Sequence, residues 1–201
     1  MLMNPTLYKF CSSACGGLSI LPLDVLQTKL ISTEKVEFNF NEFKWISFMP
    51  VVFIIQNGAY MSTIRISNQI IRGIIAGIAA APLYIFLEIK KYESRLNLLP
   101  KMNVFIFWMT IRSMVVYGTM YNIFMLNIPY AKLTAGLMAN LMGFPFRLIS
   151  MSKSYPIIKL DVNSIKKTGL LEVIKSGIGD GLTLYLIYGL KYSPIKYSPI
   201  K

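Results

Sequence analysis

Apolar residues gather into six long stretches, at about 6–30, 45–66, 68–91, 104–127, 131–153 and 168–190, separated by more polar segments. Each is close to the roughly 20 residues that a helix needs to cross a bilayer. The pattern predicts an all-α membrane protein with six transmembrane helices. The sixth stretch is among the weakest, carrying Glu172, Lys175 and Asp180 beside Gly177, Gly179 and Gly181. Connections alternate in length. Residues 31–44, 92–103 and 154–167 form longer links, all on one face, whereas the links near 67 and 128–130 are very short. The stretches therefore form three hairpin pairs, and an even count places both termini on one side.

A proline recurs late in the odd member of each pair. Pro22, Pro82 and Pro145 stand 60 and 63 residues apart. Small residues precede them in register: Ser13, Gly73 and Gly136 nine positions upstream, and Gly16, Ala76 and Ala139 six upstream. Three prolines in register imply a threefold internal repeat. The chain divides into repeat 1 (1–67), repeat 2 (68–130), repeat 3 (131–191) and a flexible tail (192–201). The tail reads Tyr-Ser-Pro-Ile-Lys twice, and its prolines stop a helix.

Composition supports a membrane protein. The chain is 54% hydrophobic and only 15% charged, with a mean hydropathy of +0.52. A soluble domain has about 45–50% apolar and about 25% charged residues. The net charge is +12, from 21 Lys and Arg against 9 Asp and Glu. A basic balance can signal nucleic acid, but these cations sit mostly between apolar stretches. The expected partner is the lipid bilayer, with no nucleic acid. The longer-link face, with the ends of the odd helices, carries twelve cations against seven on the other face. That asymmetry places the longer links on the side favoured by the positive-inside rule.

Histidine is absent, and Cys11 and Cys15 are the only cysteines. Four apart on a helix, they share a face and read as small packing residues. A zinc site needs about four ligands, so no metal or cofactor is expected. Most hydrolytic triads need histidine, so an enzyme is not expected either. The glycines around Asp180 lack the preceding strand and the lysine of a phosphate loop and read as close helix packing. The N-terminus shows no secretory signal or Arg/Ser-rich transit pattern, so any targeting is expected to be internal to the fold.

The register resembles that of the mitochondrial carrier family. Pro22-Leu23-Asp24-Val25-Leu26 looks like the start of that family's Pro-x-Asp/Glu-x-x-Lys/Arg signature. The small upstream residues match its close-packed odd helices. Tyr60, Tyr121 and Tyr185, at 38, 39 and 40 residues after their prolines, match an aromatic position on its even helices. The resemblance implies six tilted helices around a pseudo-threefold axis, in the inner membrane of a mitochondrion or related organelle. The departures are substantial. Repeats are near 60 residues rather than the family's 100, so its loop helices are expected to be reduced or absent. The acid two after the proline survives as Asp24 but becomes Tyr84 and Arg147, and the basic position becomes Gln27, Leu87 and Ser150. The acids at the other end are replaced by Ile64, Met125 and Gly189.

The resemblance makes Pro22, Pro82 and Pro145 hinge elements, and Asp24, Gln27, Tyr84 and Arg147 gating positions. Asp24 and Arg147 would pair where the odd helices converge, or snorkel separately to the headgroups. Arg112 lies inside an apolar span, where a cation needs a water-filled cavity or an acidic partner. It falls near the family's central contact position, beside Ser113, with Ser176 and Lys175 at the corresponding place in repeat 3. There it would hold a carboxylate or phosphate, or lock to Asp180 or Glu172. Gln56 and Asn57 would add polar contacts to the substrate, or bond between helices. Two functions follow. One is movement of a small anionic metabolite by alternating access. The other is a transport-inactive carrier-fold subunit, scaffold or insertase-like protein among other membrane-complex subunits.

Overall fold

The computed structural model describes residues 5–32, 35–36, 40–124, 131–158 and 160–189. They form seven helices: α1 (Pro5–Ile31), α2 (Asn41–Ile46), α3 (Met49–Ser62), α4 (Gln69–Leu96), α5 (Met102–Phe124), α6 (Ala131–Ser154) and α7 (Val162–Gly189). Among the described residues there is no strand, only an isolated antiparallel bridge between Ser32 and Ile158. The protein is all-α.

Five of the six apolar stretches lie on single helices. The second is broken, because Pro50 has no N–H to give the carbonyl of Ile46, four residues back. The chain passes instead through Ser47 and Phe48, which donate to the carbonyls of Phe43 and Trp45. Pro50 then sits in the first turn of α3, where a missing N–H does no harm. The short helix α2 thus occupies the first of the longer links.

Helix ends follow local chemistry. Asn68 caps α4, its Oδ1 accepting from the backbone of Ile70 at 2.9 Å and Ile71 at 3.2 Å. Asn97 ends α4 with φ 52°, a left-handed cap that asparagine tolerates. Asp161 precedes α7 and accepts from Ser164 N at 2.7 Å.

The long helices pack in a closed cycle. α1 meets α3, α3 meets α4, α4 meets α5, α5 meets α6, α6 meets α7, and α7 returns to α1. Each joins its sequence neighbour, so short links suffice. α4 and α5 approach closely because glycines face backbone: a Cβ on Gly77 would come within 2.6 Å of the Ser113 carbonyl oxygen. Pro22, Pro82 and Pro145 all lie within continuous helices, and all three are exposed. The carbonyls they leave free, on Leu18, Ile78 and Leu141, belong to exposed residues too. Six positions before each proline, Gly16, Ala76 and Ala139 are buried.

The outer faces of α4 and α5 carry exposed apolar residues: Ile70, Ile71, Ile78 and Phe86 on α4, with Ile106 and Phe107 on α5. α4, and α5 from Met102 to Ile123, are each long and apolar enough to cross a membrane. Two apolar clusters fill the ends of the bundle. Tyr92, Leu96, Phe105, Met151 and Tyr155 gather at the longer-link end, and Tyr60, Val116, Met120 and Tyr121 at the short-link end.

Candidate functional site: a buried charge network

Beside the longer-link cluster the helices turn charge inward. α1 supplies Asp24, Gln27 and Thr28. α4 supplies Tyr84, Glu88, Lys91, Tyr92 and Arg95. α5 supplies Arg112, α6 supplies Asn140 and Arg147, and α7 supplies Thr168, Glu172 and Lys175. The spacing explains why these side chains meet. Glu88, Lys91 and Arg95 stand three and four apart on α4, and Thr168, Glu172 and Lys175 four and three apart on α7, so each set lines one helix face.

Asp24 is 6% exposed and sits among four cations. Its Oδ2 lies 3.0 Å from Arg95 Nη1 and 2.9 Å from Lys91 Nζ. Its Oδ1 lies 3.3 Å from Arg147 Nη2 and 2.9 Å from Lys175 Nζ. Arg95 also donates to the Asp24 carbonyl and to Thr28 Oγ1. Glu172 is fully buried. Its Oε1 faces Arg112 Nη2 at 3.4 Å. Its Oε2 takes Arg147 Nη1 at 3.1 Å, Lys175 Nζ at 2.9 Å and Gln27 Nε2 at 2.8 Å.

Arg147 joins four helices. From α6 it reaches Asp24 on α1, Glu172 on α7, and both Tyr92 Oη (3.4 Å) and Glu88 Oε2 (3.8 Å) on α4. Arg112 Nη1 donates to Tyr84 Oη at 2.7 Å, and Nη2 to Asn140 Oδ1 at 3.1 Å. Among the described residues, the network sets three carboxylates (Asp24, Glu88, Glu172) against five cations (Lys91, Arg95, Arg112, Arg147, Lys175). Among the described residues the cations of this network exceed its carboxylates by two, a balance that attracts anions.

No protein-family model matches the chain, and neither does any curated protein or solved structure.

The short-link end is closed by aromatics rather than charge. The Tyr60 and Tyr121 rings stack with centroids 3.8 Å apart. The Arg72 guanidinium lies 4.0 Å from the centre of the Tyr60 ring, and Tyr60 Oη donates to Gln69. Gln56 Nε2 donates to Tyr121 Oη at 3.1 Å, which in turn donates to Asn57 Oδ1 at 2.9 Å.

The structure therefore sorts the sequence-selected residues into groups. Asp24, Gln27, Tyr84, Arg112, Arg147 and Lys175 come together in the network. Gln56 and Asn57 join the tyrosine stack at the other end. Ser113 is buried in the α4–α5 contact. The side chains of Ser176 and Asp180, residues 125–130 and the tail lie outside the described residues. Sequence reasoning missed Thr28, Glu88, Lys91, Tyr92, Arg95, Asn140 and Thr168. The signal for the α4 set was present, since Glu88, Lys91 and Arg95 recur at helical spacing beyond Pro82. Asn140 and Thr168 carry no such signal.

Proposed function

We propose that this chain is a carrier-like membrane protein that moves a small anionic metabolite through its ring of six long helices. The observation that carries this reading is the buried network with five cations and three carboxylates. Charge placed at membrane depth is expensive unless it is paired or used. Here each of the five cations has a carboxylate partner, yet among the described residues the cations outnumber the carboxylates by two.

The closed helix cycle and the exposed apolar residues of α4 and α5 support a membrane-embedded ring. The exposed prolines and inward Asp24 and Arg147, at corresponding places on α1 and α6, support a repeated arrangement of helix pairs. In this reading Pro22, Pro82 and Pro145 let the odd helices bend. The ion network closes the longer-link end, and the Tyr60–Tyr121 stack closes the other. The resemblance to mitochondrial carriers supports placement in the inner membrane of a mitochondrion or related organelle.

The test is flux. Purified protein in vesicles should exchange a small dicarboxylate or inorganic phosphate above protein-free vesicles. Arg112→Gln should reduce that flux about 10–100-fold, the worth of a charged hydrogen bond, without loss of fold. Folded protein that moves no anion above background would remove the transport reading.

A second reading is favoured by the closure of both ends. A ring locked by ions at one end and by aromatics at the other suits a static carrier-fold subunit of a larger membrane complex. Native mass after gentle extraction separates the two. A species near 23 kDa plus detergent favours the transporter, and stoichiometric recovery with other chains favours the subunit.

A further inference from the structure

We infer that the Glu172 carboxylate is the internal occupant of a built carboxylate-binding site, and that a carboxylate on the transported molecule displaces it. The role in transport rests on the reading above, whereas the site stands on its own geometry.

Glu172 is held as a bound carboxylate would be. It is fully buried, and its two oxygens are served by different donors. Arg112 Nη2 serves Oε1 at 3.4 Å. Arg147 Nη1, Lys175 Nζ and Gln27 Nε2 converge on Oε2 at 3.1, 2.9 and 2.8 Å. Donors split between two oxygens in this way fit a planar carboxylate, and charge-assisted bonds of this kind are the strong ones.

Displacement strands no donor, because each keeps a second partner. Arg112 keeps Tyr84 Oη and Asn140 Oδ1. Arg147 keeps Asp24 and Tyr92. Lys175 keeps Asp24 Oδ1 and Gln27 Oε1. Gln27 Nε2 keeps the Thr168 carbonyl. Asp24 differs, since its loss would take a carboxylate from Lys91, Arg95, Arg147 and Lys175 together. Of the two inner carboxylates that Arg147 and Lys175 share, Glu172 is the exchangeable one. Its negative charge also keeps the site shut until a competing carboxylate arrives.

The test empties the site. Glu172→Ala, purified in detergent, should unfold at a lower temperature than the parent. Sodium acetate should raise its midpoint by about 3–6 °C at ten times the dissociation constant. Sodium chloride at equal ionic strength should not, and acetate at the same concentration should raise the parent's midpoint by only about 1 °C. Glu172→Gln, which keeps the side-chain volume, provides the check if the alanine variant does not fold, and acetate should stabilise it as well. In vesicles, Glu172→Gln should lower the KM for a carboxylate substrate about tenfold, because the tethered competitor has lost its charge. Equal stabilisation by chloride, preference for phosphate over acetate, or no acetate effect in either variant would overturn the proposal. Acetate stabilisation with no flux from the parent would leave the site standing and remove the transport reading.

Discussion

Tyr60 and Tyr121 stack face to face, with ring centroids 3.8 Å apart and planes 8° from parallel, near the ends of α3 and α5. Their positions relative to Pro22 and Pro82 correspond, and the fold brings the two rings into contact. The Tyr121 hydroxyl is equally committed, accepting from Gln56 and donating to Asn57. Tyr121→Phe should keep the stack but remove the hydroxyl's bonds to Gln56 and Asn57, lowering stability by about 1–3 kcal/mol. Tyr121→Ala should cost about 3–5 kcal/mol, as for other buried aromatics. Thermal unfolding in detergent reads both, and equal losses would deny the stack any share.

Arg147 is shared by three buried carboxylates. Arg147→Ala strips one partner each from Asp24, Glu88 and Glu172. Removing one member of a buried pair costs about 3–5 kcal/mol. The loss should be smaller when Glu172 is removed as well, since the carboxylate left behind disappears with it. A double-mutant cycle on unfolding midpoints measures that coupling, and simple additivity would show that the two groups do not depend on each other.

Glycine contacts give a contrast between two helices. On Gly77 an added Cβ would meet the backbone of Ser113 at 2.6 Å, and a peptide carbonyl on a packed helix cannot swing aside. Gly77→Ala should force α4 from α5 and lower stability by about 1–3 kcal/mol. Nothing lies within 4 Å of the same atom on Gly58 in α3. Gly58→Ala should raise stability by about 0.5–1 kcal/mol through its helix preference. Comparing the two midpoints checks both signs.

Asp161 ties the start of α7 to pH. The backbone N–H of Ser164, and then its hydroxyl, hold the carboxyl below its ordinary value of 3.8. A depressed value means that the charged form is favoured in the folded chain. Its contribution is complete above the unfolded value and disappears as pH falls through the lower folded one. The gap in unfolding midpoint between the parent and Asp161→Ala should be level at neutral pH and shrink below 3.8. A gap independent of pH would mean that charge plays no part in the cap.

Helix positions were legible because apolar runs of that length leave little choice. A backbone in an apolar setting must bond within its own segment, and the ends of the runs coincide with polar, glycine or proline signals. The break in the second stretch was legible in principle from Pro50, yet a run-based reading passes over it, since Ser47 alone barely interrupts the apolar character. Matched distances to Pro22 and Pro145 put Asp24 and Arg147 at corresponding places but left pairing and snorkelling open, and the structure pairs them.

By itself the sequence determined an all-helical chain and the approximate positions of five of its long helices. These depend on spacing along one helix, which a linear pattern carries in full. Only the tertiary structure decided who meets whom. Arg112 is 60 residues from Glu172, and Lys175 is 151 from Asp24. Helical periodicity says which face a residue occupies, but the partner across the gap depends on how the ring closes, α7 against α1. That closure gathers cations and carboxylates from five helices into one network, and it sends Gln56 and Asn57 to the opposite end.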